Sequence, residues 1–267
     1  MNQNNKLESI SIVGIPFDEY SSFSRGPAKA PKKILDALNS GSSNMCTEDI
    51  IDLGKCNNIS YLENLEVTDY MSIENQVTKI LEKKTRLISL GGDHSITYPV
   101  VKAFNKYYKN LNILQFDAHA DLYNEYQGNP YSHACPFARI MEQDLAENLF
   151  QVGIRTMTKH LKEQSEKFNT RIYDMKSWRM NSSFNFTGPV YISLDLDVLD
   201  PAFAPGISHY EPGGFSTRDL IQIIQNLKCE VVGADIVELN PKYDFQNITA
   251  MAAAKLLKEI ISVMLKN

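Results

Sequence analysis

The sequence lacks any apolar run approaching the ~20 residues that span a bilayer. Its longest hydrophobic segment, around Leu256–Leu265, is broken by Lys258 and Glu259 and reads as a packed helix. No membrane association is therefore expected. No CxxC pair occurs, and the cysteines Cys46, Cys56, Cys135 and Cys229 are widely spaced. Two disulfides would be possible. However, the opening residues, MNQNNKLESISIV, have neither the charged start and apolar stretch of a signal peptide nor the Arg-rich pattern of a transit peptide. Reduced thiols in a soluble cytoplasmic protein are the expectation. Basic excess is also absent. Lys and Arg number 27 against 32 Asp and Glu, a formal net charge of -5, and the basic residues are scattered, not blocked. Nucleic acid would want a basic face, so it is excluded as the expected partner. A mild acidic surplus suits a small cationic substrate. There is no internal repeat, and the Asn/Ser-rich patches at 39–44 and 181–185 read as surface loops.

What is present is an ordinary globular balance, able to bury a large core without disulfides or structural metal. Continuous apolar runs bounded by turn signals fall at Ser9–Ile15, Arg86–Leu90, Asn112–Phe116, Leu149–Ile154, Val190–Leu194 and Glu230–Ile236. Continuity without alternation predicts strands covered on both faces. Between them, 70–84 places Ile73, Val77, Ile80 and Leu81 on one helical face. Segment 216–227 opens on Ser216 with Asp219 three residues on, a capping-box start, and residues 247–265 are rich in helix formers. Alternation along the whole length predicts an α/β fold with a central, mainly parallel sheet between helices, as a single domain over 1–267.

Three of these strands run into clusters of Asp and His, and in open α/β sheets ligands collect at strand carboxyl ends. Gly91-Gly92-Asp93-His94-Ser95 follows the second run; its glycines permit a sharp turn and close backbone approach. Taken alone, it reads as a helix cap beside an incidental histidine. Asp117-Ala118-His119-Ala120-Asp121 is more informative. An extended backbone would put Asp117, His119 and Asp121 on one face, where they repel one another unless a cation lies between them. Asp195-Leu196-Asp197 ends an all-apolar strand with two same-side carboxylates, costly without a metal or cationic partner. Asp200, before Pro201, reads as the start of a turn. The set His94, Asp117, His119, Asp121, Asp195 and Asp197 mixes hard oxygens with imidazole, which suits Mn²⁺ or a similar ion over a thiolate zinc site. Six side chains exceed one ion's need. Two ions roughly 3.5–4 Å apart, sharing carboxylates, would use them all.

GGDHS, DAHAD and SLDLDVLDPAFAPG closely resemble the three signature motifs of the ureohydrolases, the arginase and agmatinase family, in the same order. Gly14-Ile15-Pro16-Phe17-Asp18, with Arg25-Gly26-Pro27, is similar to that family's opening segment, so the resemblance spans the chain. It implies a three-layer α/β/α arginase-like fold, two Mn²⁺ ions on the six residues above, and a homotrimer or homohexamer. The implied reaction is attack of metal-activated water on a guanidino carbon, releasing an amine and urea. By the same resemblance, His133 delivers a proton to the leaving amine and Glu238 grips the guanidinium, with His209, Asn129 and Ser132 also contacting substrate. Without it, His133 would read as a surface-loop histidine, Glu238 as a capping or salt-bridged residue, and His160 as part of a polar helix face.

YSHACPFARIMEQ and APGISHYEPGGFSTRDL are most similar to plant-type arginases, which favours L-arginine. Agmatine is the second reading, followed by guanidinobutyrate and formimidoylglutamate. Against arginine, Val152-Gly153-Ile154-Arg155 is followed by Thr156-Met157-Thr158, without the acid that holds the α-amine in animal arginases. Recognition of the amine would then fall to the 122–132 or 206–211 loops. A non-catalytic binding subunit would show loss of a ligand, His133 or Glu238, and none is lost.

Overall fold

The computed structural model describes residues 9–179 and 183–266. The N-terminal residues 1–8 and positions 181–182 of the second Asn/Ser-rich patch lie outside the described residues. The first patch, 39–44, is a largely exposed turn following a helix.

Among the described residues, eight strands form one sheet: β1 Ile10–Gly14, β2 Ile59–Tyr61, β3 Arg86–Leu90, β4 Asn112–Phe116, β5 Asn148–Val152, β6 Arg171–Tyr173, β7 Val190–Asp195 and β8 Val231–Val237. Their order is β2-β1-β3-β8-β7-β4-β5-β6, and every pairing is parallel. The six expected strands are all present, within a residue or two at each end. β5 stops at Val152, short of the expected Ile154, because Gly153 turns the chain with φ 101°. The two edge strands, β2 and β6, have three residues each and are partly exposed, too short and too wet for an apolar run to announce them.

Among the described residues, seven α-helices cover the two faces: α1 Ala30–Leu38, α2 Ser72–Leu81, α3 Thr97–Asn105, α4 Pro136–Glu142, α5 Lys159–Lys167, α6 Thr217–Gln225 and α7 Ile248–Lys266. Each face has its own core. Ile34, Leu38, Ile224, Leu257 and Ile260 pack with Ile12, Ile88 and Ile192 on one side, whereas Ile73, Val77, Val101, Phe137 and Leu161 pack with Val13, Leu87 and Ile113 on the other. Helices α1, α6 and α7 thus make one layer, α2 to α5 the other, and the sheet lies between them. All residues of β1, β3, β4, β7 and β8 are buried, which explains why apolar residues dominate them without alternation. No helix among the described residues is long and apolar enough to cross a membrane. Lys258 and Glu259 in α7 are buried, with Lys258 Nζ donating to Asn44 O at 2.9 Å and Glu259 Oε1 accepting from Glu48 N at 3.1 Å, so both fasten the 43–48 segment.

The register brings strand ends together. Leu90 pairs with Ile236, Ile236 with Leu194, and Leu194 with Phe116, so β3, β8, β7 and β4 finish side by side at one level. Whatever follows those four positions must meet.

The capping box at the start of α6 is present: Ser216 Oγ accepts from Asp219 N, and Asp219 Oδ2 accepts from Ser216 N, both at 3.1 Å. Ser216→Ala should lower the unfolding free energy by about 1 kcal/mol; a urea midpoint unchanged from wild type would show that the cap contributes nothing.

Candidate metal centre and cavity

Four loops leave that common edge. After β3, Gly92 sits so close to the chain at Phe17 that a Cβ would fall 1.7 Å from the Phe17 carbonyl oxygen, and no larger residue fits. Asp93 Oδ1 accepts from Ser95 N at 3.1 Å, which caps the turn into α3. The cap expected at this turn is therefore real, and the same turn carries His94 into the site.

After β4 and β7 the backbone differs from the expected extended run. Asp117 Oδ1 accepts from His119 N at 2.6 Å, and Asp195 Oδ1 accepts from Asp197 N at 2.8 Å. Each carboxylate folds the chain into a tight turn through its own second neighbour. Asp121 completes the first turn in the left-handed region, φ 49°. The side chains still converge, but by turning and not by strand alternation. Ala118 and Ala120 are buried, with Ala118 N donating to Asp197 Oδ1 at 2.9 Å, so the two loops are stitched together.

The result is two overlapping groups of ligating side chains, His94 with Asp117 and Asp195, and His119 with Asp117 and Asp197. Asp121 joins the first, its Oδ2 being 3.1 Å from His94 Nδ1. The Oδ2 atoms of Asp117 and Asp195 lie 3.2 and 3.1 Å from the same nitrogen. Behind the ring, His94 Nε2 is 2.9 Å from Ser193 Oγ, which donates to Asp235 Oδ1 at 2.8 Å. Since Ser193 gives its proton to a carboxylate, it accepts from Nε2–H, and in a neutral ring Nδ1 presents a lone pair. Three carboxylate oxygens surround that nitrogen, yet it makes no hydrogen bond. Lone pairs facing one another in a buried site are tolerable only around a cation. The donor set fits a divalent ion, and Asp117, common to both groups, fits a pair.

The charge balance agrees. Burial and the neighbouring Asp117 charge push Asp121 up to about 6, and burial with Asp197 and Asp117 holds Asp195 well above the carboxylate range. Burial would lower His119, but Asp197 and Asp117 outweigh it and raise its pKa to about 12. Burial would lower the His94 pKa as well, but Asp117, Asp121 and Asp195 raise it, and the two imidazoles hold Asp117 low against its own burial. Without an ion, both rings are thus drawn toward the charged form and Asp121 and Asp195 toward the neutral one.

β8 contributes Glu238, also left-handed at φ 65°. A non-glycine residue held there is strained, and such strain collects at working sites. Glu238 Oε1 accepts from His94 N at 2.9 Å and lies 2.8 Å from His133 Nδ1. Burial would lower the His133 pKa, but the charges of Glu238, Asp93 and Asp121 raise it to about 9. On the other side of the ring, Ser22 Oγ is 2.8 Å from Nε2.

These groups line a cavity of about 260 Å³ that includes His119, Asp121, Asp195, Asp197, His133, His209 and Glu238. His209 stands 5.2 Å from His133 and 6.0 Å from His119, ring to ring. Asn129 and Ser132, expected at the substrate, are not among the residues that line this cavity. Asn129 Oδ1 accepts from Tyr131 N at 2.9 Å, and Ser132 Oγ from Ala134 N at 3.4 Å, so both shape the loop that holds His133. His160 is on α5, its ring stacked on Tyr123 at 5.5 Å. Asp200 makes the expected turn, accepting from Ala202 N at 2.9 Å.

Ser22, Tyr123, Tyr126, Thr156 and Glu211 also line the cavity and were not singled out individually from sequence. Three of them stand in or beside the 122–132 and 206–211 loops, where tail recognition was expected. Arg155 is a frame element: its Nη2 donates to Asp197 O at 2.6 Å and its Nε to Glu211 O at 2.7 Å.

A family model described as the arginase family matches residues 8–262. Arginase 1, mitochondrial, of Arabidopsis thaliana is 41% identical over 280 residues, covering 97% of this chain and 82% of that protein. Agmatinase of Bacillus cereus is 36% identical over 195 residues, covering 71% and 67%. The solved structure of arginase from Medicago truncatula superimposes with a TM-score of 0.88 at 37% identity, covering 97% of this chain and 88% of that one.

If the cluster takes two ions, divalent cation should raise the Tm of the metal-stripped protein by on the order of 5 °C. Asp197→Ala should bind about one ion per chain where wild type binds about two. Elemental analysis and thermal melts check both; equal ion counts in the two proteins would contradict a second ion held by Asp197.

Proposed function

The chain belongs to the arginase family, and from that premise we propose that it hydrolyses L-arginine to L-ornithine and urea. The observation that carries this reading is the double His/Asp cluster beside the Glu238–His133 pair, in one cavity. Arginine is favoured over agmatine because the arginase similarity extends over 97% of the chain, against 71% for the agmatinase. Agmatine remains the second reading, since no acid follows Arg155.

His94, Asp117, Asp121 and Asp195 would hold one ion, and Asp117, His119 and Asp197 the other. Carboxylate and imidazole donors favour Mn²⁺. When bound, the pair supplies a water acidified toward neutrality, hence a nucleophile without a side-chain base. Glu238 draws the guanidinium to the cluster by charge-assisted hydrogen bonding and fixes the guanidino carbon's orientation. As the bond to the chain nitrogen breaks, that nitrogen must gain a proton. His133, protonated near neutrality and tethered through Nδ1 to Glu238, is the group placed to deliver it.

We treat residues 1–267 as one catalytic unit, because neighbouring strands of a single sheet supply the whole site. We also propose a homotrimer or homohexamer, for which exposed Phe203, Phe245 and Ile248 offer apolar surface. The cytoplasm is our proposed location. Its reducing milieu suits four free cysteines, although the Arabidopsis relative is named mitochondrial.

Urea release by the Mn²⁺-loaded protein, compared across arginine, agmatine and 4-guanidinobutyrate at equal concentration, tests the reading. Arginine should be fastest; no urea from any of the three would overturn it. His133→Asn should lower kcat about a hundredfold while changing KM little, and an unaltered kcat would remove His133 from proton delivery.

A further inference from the structure

We infer that Glu211 is a specificity-determining residue that binds the ammonium at the far end of the substrate, an inference that rests on the guanidino hydrolysis proposed above. Arginine and agmatine each carry a second cation, an amine the same number of bonds from the guanidino group. The cavity must therefore offer two anions to one molecule.

Most of its carboxylates are already committed. Asp121, Asp195 and Asp197 belong to the cluster, and Glu238 is engaged with His133 and the His94 backbone. Glu211 is the exception. Its side chain lines the cavity and is 39% exposed; among the described residues no Lys or Arg lies within ion-pair distance of it. Its nearest charged neighbour is His119 Nε2 at 3.9 Å, beyond hydrogen-bond length. The backbone beneath it is nonetheless fixed, because Arg155 Nε donates to its carbonyl at 2.7 Å and Asp200 Oδ2 accepts from Gly213 N at 2.7 Å. An uncommitted carboxylate on a braced loop is preorganised for a cation. The lining contains no Lys or Arg, so a substrate's tail carboxylate meets neither there, while hydroxyls of Tyr123, Tyr126 and Thr156 are at hand. The cavity selects for a tail amine before it selects for a tail carboxylate.

A competing role is orientation of His119 from behind, as a carboxylate backing a metal-ligating imidazole. The two roles move different quantities. In the Mn²⁺-loaded, full-length protein, Glu211→Gln should raise KM for arginine and agmatine about tenfold with kcat within about twofold. Competitive inhibition by ornithine and putrescine should weaken in parallel. Hydrolysis of 4-guanidinobutyrate, which has no amine, should keep or increase its kcat/KM. Glu211→Asp, which retains the charge on a shorter arm, should fall between Gln and wild type. Unchanged KM for both amines in an active enzyme overturns this inference alone. A joint fall in kcat and bound metal at constant KM overturns it in favour of the orienting role. Absence of urea from wild type with every substrate overturns this inference together with the reading beneath it.

Discussion

The constraint on which the molecule turns is electrostatic: four carboxylates and two imidazoles, all but His119 buried, are held within reach of one another. Three carboxylate oxygens within 3.2 Å of one imidazole nitrogen is not a hydrogen-bonding geometry. Such an arrangement survives folding only if the surroundings over-determine it, and they do. Asp117 and Asp195 each close a turn on their own loop, Ala118 N ties one loop to the other, and Asp235 fixes His94 through Ser193. The apolar layers on either side of the sheet supply the stability that lets these charges stay together.

The sheet does the gathering. The Asp and His residues of the cluster and Glu238 follow β3, β4, β7 and β8, and these four strands are contiguous although far apart in sequence. A parallel sheet aligns its carboxyl ends on one edge, so residues 144 positions apart become neighbours, the backbone N–H of His94 donating to the Glu238 carboxylate.

Much of this was legible in the sequence because the central strands are buried on both faces. Continuous apolar runs located six of the eight strands, and each Asp/His cluster followed such a run directly. The edge strands Ile59–Tyr61 and Arg171–Tyr173 were illegible for the converse reason: half-wet and three residues long, they leave no periodicity. The ligands of the cluster were visible, but the route by which they meet was not. Extended alternation was the simple expectation, whereas Asx-type turns and the left-handed Asp121 perform the convergence, and these depend on side-chain hydrogen bonds between loops. Asn129 and Ser132 were assigned by motif position alone, which does not reveal that the loop uses their polar atoms internally. Asp235, a lone acid inside an apolar strand, was a signal in plain view; Ser22, in the opening segment, carried none without the fold.

Arg155 has a bearing on how such a scaffold diversifies. One guanidinium fastens the carbonyl of Asp197 and the carbonyl of Glu211. The loop that bears Asp197 and the loop that brings Glu211 to the cavity thus share a single rivet made of main-chain contacts, indifferent to which side chains those loops bear. Side chains at the mouth can be exchanged without loosening the reacting centre, whereas any insertion that shifts either main chain strains both. New substrate preferences on this frame should arise by point replacement at the rim, with loop lengths around the rivet held constant.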